Sequence, residues 1–180
     1  MAGKDHLCHR LAFMGSSGTR GGGGLSEFAA VNERMVYPIP DNIRIEDAAV
    51  IEPLVVGHHV ANCAGVDLAG LDVLVVGSGP IGYALFLVLK ARKVRQILVS
   101  EPTVVRRQRA AELVDMTIDP RKEDVGSVCR KATGGRGVDV VFDCAGIEAG
   151  LKAAFDALTP GGTLVNVAQW EFPVSYCLRG

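Results

Sequence analysis

The hydrophobic and polar residues follow a regular pattern from residue 71 to residue 168. Short runs rich in apolar residues are separated by longer stretches whose apolar residues recur at helical spacing. The short runs predict β-strands over 71–76, 96–100, 115–119, 138–143 and 163–168, and the first of these is expected to be buried on both faces. The stretches between them predict helices over 80–93, 103–113, 121–133 and 151–158. Strands and helices that alternate in this way predict a parallel sheet with right-handed crossovers, which is a doubly wound α/β fold.

The first part of the chain has a different pattern. Residues 1–24 are mostly polar and end in glycine-rich sequence, which predicts a loop. Residues 25–31 partly alternate between apolar and polar positions and predict a strand, and residues 35–39 predict a second short extended segment. We therefore expect a β-rich region at this end of the chain.

A proline marks the predicted boundary between the two regions. Pro53 disfavours a helical backbone at the residue before it, so we expect Glu52 to be extended and a helix to begin at Pro53. On this basis we divide the chain into a β-rich domain over 1–52 and a doubly wound domain over 53–180.

Composition limits the classes of protein to consider. Hydrophobic residues make up 48% of the chain, and the formal net charge of −1 argues against nucleic acid or an anionic membrane as a partner. No apolar run approaches the ~20 residues of a membrane helix, and the first residues lack the apolar core of a signal peptide. The five cysteines are scattered, as in a protein with reduced thiols. We therefore expect a cytoplasmic protein with a small-molecule ligand.

The strongest motif is a GxGxxG turn formed by Gly77, Gly79 and Gly82, directly after a predicted strand and before a predicted helix. The first glycine permits a tight turn, the second lets a pyrophosphate approach the backbone, and the third lets the helix pack closely on the strand. Pro80 suits the first helical position, and the free N–H groups of that helix end bind phosphate. The motif predicts a dinucleotide site, although a glycine turn without a ligand remains an alternative.

An acid follows the second predicted strand. Glu101 lies 24 residues after Gly77 (101 − 77 = 24). A carboxylate in this place accepts hydrogen bonds from the adenosine ribose and repels a 2′-phosphate, which favours NAD over NADP. Arg106, Arg107 and Arg109 leave NADP open, since guanidinium groups can bind a 2′-phosphate. Methyltransferases that use S-adenosylmethionine also have a glycine turn and an acid at these places, so they remain an alternative.

Several segments carry a family resemblance and occur along the chain in the order GGGGLSEFAAV, VYPIPDNI, AAVIEPLVVGHHVA, VLVVGSGPIG, ILVSEP, GGRGVDVVFDCAG and LTPGGTLVNVAQWE. With them the chain resembles the zinc-dependent medium-chain alcohol dehydrogenases, most closely the polyol and (R,R)-butanediol dehydrogenase branch. A methyltransferase would not explain GGGGLSEF or IEPLVVGHH, so the dehydrogenase interpretation is favoured.

The resemblance implies an enzyme that transfers hydride between a secondary alcohol, such as a 2,3-butanediol-like diol or a polyol, and NAD. It implies a GroES-like β-rich catalytic domain before a Rossmann domain, a homo-oligomer, and a zinc ion that lowers the pKa of the alcohol. Glu52 would act beside that zinc as a catalytic residue and metal ligand, or would serve as the N-terminal carboxylate of the helix at Pro53. We expect the cofactor to contact Gly77, Gly79, Pro80, Ile81, Gly82, Glu101, Arg106, Ala145 and Val167.

The resemblance also predicts incomplete zinc sites. Cys8 matches the last of the family's four structural zinc cysteines, and we interpret His6, Cys8 and His9 by themselves as a solvated loop. The remaining zinc ligands would precede residue 1, and the sixth strand of the sheet would follow residue 180. We therefore expect a chain truncated at both ends with little or no dehydrogenase activity, and a module that binds NAD without catalysis is the alternative.

Overall fold

The computed structural model describes residues 8–9, 12–15, 23–170 and 173. The chain divides into two compact units, Met1–Ile45 and Glu46–Gly180. The functional boundary between residues 52 and 53 stays a prediction.

The described residues of the first unit contain one short 3-10 helix, Glu33–Met35, and no strand. The strand predicted over 25–31 is therefore wrong. Leu25 and Phe28 are exposed, and the described residues offer this segment no neighbouring strand to take up its backbone hydrogen bonds.

From residue 45 onward, two helices come first and strands and helices then alternate. They are α1 (Ile45–Ala48), α2 (Ile51–Cys63), β1 (Asp72–Val76), α3 (Pro80–Ala91), β2 (Gln96–Ser100), α4 (Val104–Ala111), β3 (Met116–Ile118), α5 (Val125–Ala132), β4 (Val138–Asp143), α6 (Glu148–Ala157) and β5 (Leu158–Asn166). The strands are parallel and lie in the order β3-β2-β1-β4-β5. This confirms the predicted doubly wound fold. The chain changes direction across the sheet between β1 and β4, and in such sheets the crevice at the carboxyl ends of these strands binds the ligand.

Strand β1 lies at the centre of two apolar layers. Val73 and Val75 belong to the layer formed with α2, α3 and α4, whereas Leu74 and Val76 belong to the layer formed with α5 and α6. Every residue of β1 is buried. The predominantly apolar run over 71–76 was therefore correctly predicted as a strand covered on both faces.

Helix α2 begins earlier than predicted. It runs from Ile51, so Glu52 is helical rather than extended, and Pro53 lies inside the first turn. The prediction of an extended Glu52 was wrong because the N–H groups of a first helical turn have no partner within the helix. A proline in that turn removes no hydrogen bond.

Two other boundaries differ from the predictions. Helix α5 begins at Val125 rather than at 121, because the Asp124 side chain accepts a hydrogen bond from Ser127 N (2.7 Å) and caps the helix. Strand β5 begins at Leu158 rather than at Thr163, and residues 159–162 form an irregularity inside the strand. Its ladder pairs Val138 with Leu158 and Val140 with Thr163. An edge strand tolerates such a bulge and the proline in it.

A buried charge lies at the amino end of the sheet. The Asp72 carboxylate is inaccessible, yet it accepts hydrogen bonds from Arg95 Nε (2.6 Å), Arg136 Nη2 (2.9 Å) and Gln96 Nε2 (3.0 Å). These partners offset the cost of burying the charge. They also join the start of β1 to the start of β2 and to the residue just before it, and to the loop before β4.

Among the helices of the described residues, none has both the length and the apolar composition that crossing a membrane requires.

Packing of the sheet makes a first prediction. Phe142 in β4 is 0% exposed, so Phe142→Ala should lower the free energy of unfolding by about 3–5 kcal/mol through lost burial and the cavity left behind. Urea denaturation followed by circular dichroism measures the change. Val66→Ala is the control, because Val66 is 49% exposed and its truncation should change stability by about 0.5 kcal/mol or less. Equal effects of the two substitutions would contradict the predicted core position of Phe142.

Candidate cofactor-binding site

The three glycines of the turn after β1 have different roles in the structure. Gly77 has φ = 94°, and its N–H donates to Ser100 O (2.8 Å), which ties the turn to β2. A Cβ on Gly82 would lie 2.3 Å from Gly77 O, so α3 packs against the turn only without a side chain there. A Cβ on Gly79 would meet no atom within 4 Å. Gly77 and Gly82 are therefore required by the fold, whereas Gly79 borders open space.

Helix α3 starts at this open space. Gly79 is its N-cap residue and Pro80 is its first residue. The N-terminal N–H groups of a helix have no partner within the helix, and the helix dipole places partial positive charge at this end. An uncovered backbone next to such a helix end fits the pyrophosphate of a dinucleotide.

A cavity of about 440 Å³ lies where β1, β2, β3 and β4 end. Pockets for small molecules and cofactors commonly have volumes of about 300–1,000 Å³. The apolar part of the lining includes Pro102, Pro120, Val125, Ile147 and Ala153. The polar part includes Glu101, Arg106, Glu123, Asp124 and Lys152. The glycine turn forms one end through Gly77 and Gly79, so the cavity can hold the adenosine half of a dinucleotide whose phosphates reach α3.

Glu101 is fixed against the glycine turn. Its side chain accepts hydrogen bonds from Ser78 N (2.9 Å), Ser78 Oγ (3.2 Å) and Thr103 N (2.8 Å), and the residue is 3% exposed. Burial by itself raises the pKa of Glu101, but the hydrogen bonds from Ser78 and Thr103 outweigh it and hold the pKa below the ordinary value. The side chain therefore lines the cavity as a carboxylate.

The arginines of α4 have different environments. Arg107 donates from Nη1 to Glu101 O (2.6 Å) and from Nη2 to Asp119 Oδ2 (2.9 Å). It thus joins the ends of β2 and β3. Arg106 is exposed and lines the cavity. Arg107 was considered as a ligand of a 2′-phosphate, but its guanidinium group is engaged in hydrogen bonds within the protein.

The loop after β4 forms another wall. Asp143 Oδ1 accepts hydrogen bonds from Ala145 N (2.9 Å) and Gly146 N (3.2 Å), which fixes the loop so that Cys144 and Ala145 face the cavity. Asp143 Oδ2 is buried and has no hydrogen-bond partner among the described residues. Burial, with a smaller contribution from Asp143, raises the pKa of the Cys144 thiol to about 12. Cys144 is therefore a neutral thiol in this wall.

A second cavity, of about 570 Å³, lies between the N-terminal ends of α2 and α3 and the side of α4. Pro53 and Leu54 line it from α2, and Tyr83 lines it from α3. Gly79 and Arg106 line both cavities. A cation therefore lies beside the point at which the helix end can bind phosphate.

The structure brings together only part of the predicted cofactor residues. Gly77, Gly79, Glu101, Arg106 and Ala145 line the first cavity, and Pro80 lines the second. The other predicted residues, Ile81, Gly82 and Val167, are not among the lining residues of either cavity. Cofactor contact at all of these positions stays a prediction.

Sequence reasoning missed several residues of the site. Ser78 holds Glu101 from within the glycine motif, and Pro102, Thr103, Pro120 and Ile147 line the cavity. Apart from Ser78, each follows the carboxyl end of a predicted strand by a few residues. Because these strand ends meet at one edge of a parallel sheet, their positions were a usable signal.

The predicted metal ligands lie in different units. Cys8 is exposed in the first unit, and Glu52 is exposed in the first turn of α2 in the second. Among the described residues, no group of three or more His, Cys, Asp or Glu side chains could hold a metal ion. The described residues therefore do not form a zinc-binding site by themselves, and the roles of Cys8 and Glu52 stay predictions.

The fold and the glycine-turn site together define an α/β dinucleotide-binding protein. The sequence model of the zinc-binding dehydrogenase family matches residues 80–177. The chain belongs to this family, whose members use a nicotinamide cofactor and zinc.

Individual relatives support the polyol and butanediol branch. The chain is 41% identical to an (R,R)-butanediol dehydrogenase of Neisseria gonorrhoeae over 94% of this chain and 48% of that protein. It is 38% identical to human sorbitol dehydrogenase over 81% of this chain and 41% of that protein. The crystal structure of 2R,3R-butanediol dehydrogenase from Bacillus subtilis matches with a TM-score of 0.79 at 35% identity, over 86% of this chain and 44% of that chain.

These matches confirm the family resemblance and favour a dehydrogenase over a methyltransferase. The chain spans about half the length of the curated relatives it matches.

The glycine turn makes a second prediction. Gly79→Val should abolish NADH binding and leave the fold intact, because the new side chain enters the space beside the helix end without meeting protein atoms. Fluorescence titration with NADH measures binding, and thermal denaturation reports the fold. Gly82→Ala is the matched comparison and should lower the melting temperature, because its Cβ would collide with Gly77 O. Unchanged NADH affinity in Gly79→Val would argue against this site.

Proposed function

We propose that this chain binds NAD and serves the reversible oxidation of a secondary alcohol, with a vicinal diol or a polyol as the substrate class. The observation that carries the proposal is the cavity at the carboxyl ends of the strands, bordered by the open Gly79 and the fixed carboxylate of Glu101. The butanediol and sorbitol dehydrogenases among its relatives support the substrate class.

The environment of Glu101 favours NAD over NADP. An ionised, buried carboxylate accepts hydrogen bonds from ribose hydroxyls and repels a phosphate ester in the same place. Arg107, which could have offset that repulsion, is engaged with Glu101 O and Asp119. Arg106 borders the helix end, where it can serve the pyrophosphate.

The residues of this chain bind and orient the cofactor in the proposed function. The end of α3 at Gly79 and Pro80 receives the pyrophosphate, Glu101 receives the adenosine ribose, and Ala145 and Val167 border the path of the cofactor beyond it. When bound, the nicotinamide would supply the hydride acceptor or donor for the alcohol. Glu52 is proposed as a catalytic residue and metal ligand that would lie beside the zinc ion. We further propose a cytoplasmic homo-oligomer, with the catalytic domain including residues 1–52 and the NAD-binding domain including residues 53–180.

Cofactor preference gives a third prediction. The chain should bind NADH at least about tenfold more tightly than NADPH, and Glu101→Gln should reduce this ratio by weakening NADH and relieving the repulsion of the 2′-phosphate. Fluorescence titrations with both cofactors measure the ratio. Glu112→Gln removes a carboxylate just after α4, outside the lining of both cavities, and should leave the ratio unchanged. Absence of NADH binding by the unmodified chain would contradict the proposed cofactor site.

Turnover gives a fourth prediction. We expect the chain alone to produce little NADH from NAD and 2,3-butanediol with added zinc, because Glu52 is not accompanied by a set of metal-ligating side chains among the described residues. Absorbance of NADH measures the rate, and a purified full-length butanediol dehydrogenase is the positive control. Zinc-dependent turnover by the chain at a rate near that of the control would contradict this expectation. NADH binding without turnover would fit the alternative of a non-catalytic NAD-binding module.

A further inference from the structure

Ser78 occupies an unusual position within the glycine motif. It lies between Gly77 and Gly79, yet it is only 6% exposed. Its N–H and its hydroxyl both donate to the same atom, Glu101 Oε2, over 2.9 Å and 3.2 Å. The turn that borders the phosphate position is thereby joined directly to the acid at the end of β2.

The two oxygens of Glu101 consequently differ. Oε2 receives two hydrogen bonds from Ser78, whereas Thr103 bonds the carboxylate through its N–H to Oε1 (2.8 Å) and also through its side chain. Ser78 therefore holds the Oε2 side of the carboxylate, and the N–H of Thr103 holds Oε1.

We infer that Ser78 is a positioning residue, whose hydroxyl holds the Glu101 carboxylate in the orientation that receives a ribose hydroxyl of the cofactor. This inference rests on the proposed NAD site. It assigns to the residue between the first two glycines a role in choosing NAD over NADP, in addition to the role of its backbone in the turn.

Loss of the Ser78 hydroxyl should affect both the orientation and the ionisation of Glu101. The backbone N–H groups of Ser78 and Thr103 would remain, but Oε2 would lose one of its two hydrogen bonds from Ser78. The Glu101 side chain could then rotate between its oxygens. Because burial raises the pKa of Glu101 and these hydrogen bonds lower it, removal of one bond raises that pKa.

Other charged groups near Glu101 would be the same with and without the hydroxyl. From α4, Arg107 contacts the Glu101 carbonyl and Arg106 shares its cavity. Beyond β3, Asp119 pairs with Arg107. The remaining charged groups that line the cavity are Glu123, Asp124, Lys152 and Asp156. A change in pH dependence caused by Ser78→Ala would therefore report the lost hydrogen bond.

The test is a set of fluorescence titrations of the whole chain with NADH and NADPH across a range of pH. Ser78→Ala should weaken NADH binding by about tenfold at neutral pH, as expected for loss of a hydrogen bond to a charged group, and should weaken NADPH binding less. A protonated carboxyl group is a poorer acceptor, so affinity falls as pH decreases through the pKa of Glu101. In Ser78→Ala this fall should begin at a higher pH than in the unmodified chain.

Two further variants separate positioning from general damage. In a Glu101→Gln background, Ser78→Ala should have little additional effect on the ratio of NADH to NADPH affinity, because the two residues act through one contact. Thr133→Val removes another buried hydroxyl, which donates to Cys129 O (2.8 Å) away from the cofactor cavity. It should lower the melting temperature without changing that ratio.

The outcomes distinguish this inference from the proposed function. If the unmodified chain binds NADH and Ser78→Ala changes neither the affinity ratio nor the pH dependence, the role of Ser78 is refuted and the cofactor site stands. Additive effects of Ser78→Ala and Glu101→Gln would likewise refute it. If the unmodified chain does not bind NADH, the proposed function itself is refuted.

Discussion

The arrangement of the site depends on the close packing of α3 against the end of β1. Gly82 lies so near the carbonyl of Gly77 that a Cβ would be 2.3 Å from its oxygen. This contact aims the start of α3 at the edge where β1 and β4 end. The first residues of the helix then border open space at Gly79, and the cavity follows from the same geometry. A substitution at Gly82 should therefore affect the fold and the site together, whereas one at Gly79 affects the site alone.

A second layer of contacts converts this edge into a binding surface. Gly77 N–H bonds to β2 through Ser100 O, Ser78 bonds to Glu101, and Arg107 joins the ends of β2 and β3. Each contact links the end of one strand to the next. The cavity wall is thus held by the sheet itself, which gives its carboxylate a fixed position before a ligand arrives.

Sequence alone predicted the strands and the glycine turn, because a fully buried parallel strand and a turn of three glycines leave strong local patterns. It failed where the outcome depended on neighbours. The strand predicted over 25–31 lacks a neighbouring strand among the described residues. Pro53 lies within a helix because the N–H groups of a first helical turn make no hydrogen bond within the helix, so a proline there removes none. Ser78 was missed for the same reason, since its role depends on contact with Glu101, 23 residues away in the chain.

The two ends of the sheet treat buried carboxylates differently. At the amino end, Asp72 is paired with Arg95 and Arg136, which neutralise it. At the carboxyl end, the Glu101 carboxylate is held by N–H groups and a hydroxyl, and no ion pair to it is found among the described residues. These hydrogen bonds stabilise its charge without cancelling it. Glu101 therefore keeps a negative charge that attracts hydroxyl donors and repels a phosphate ester, which is the electrostatic basis for expecting NAD in this site.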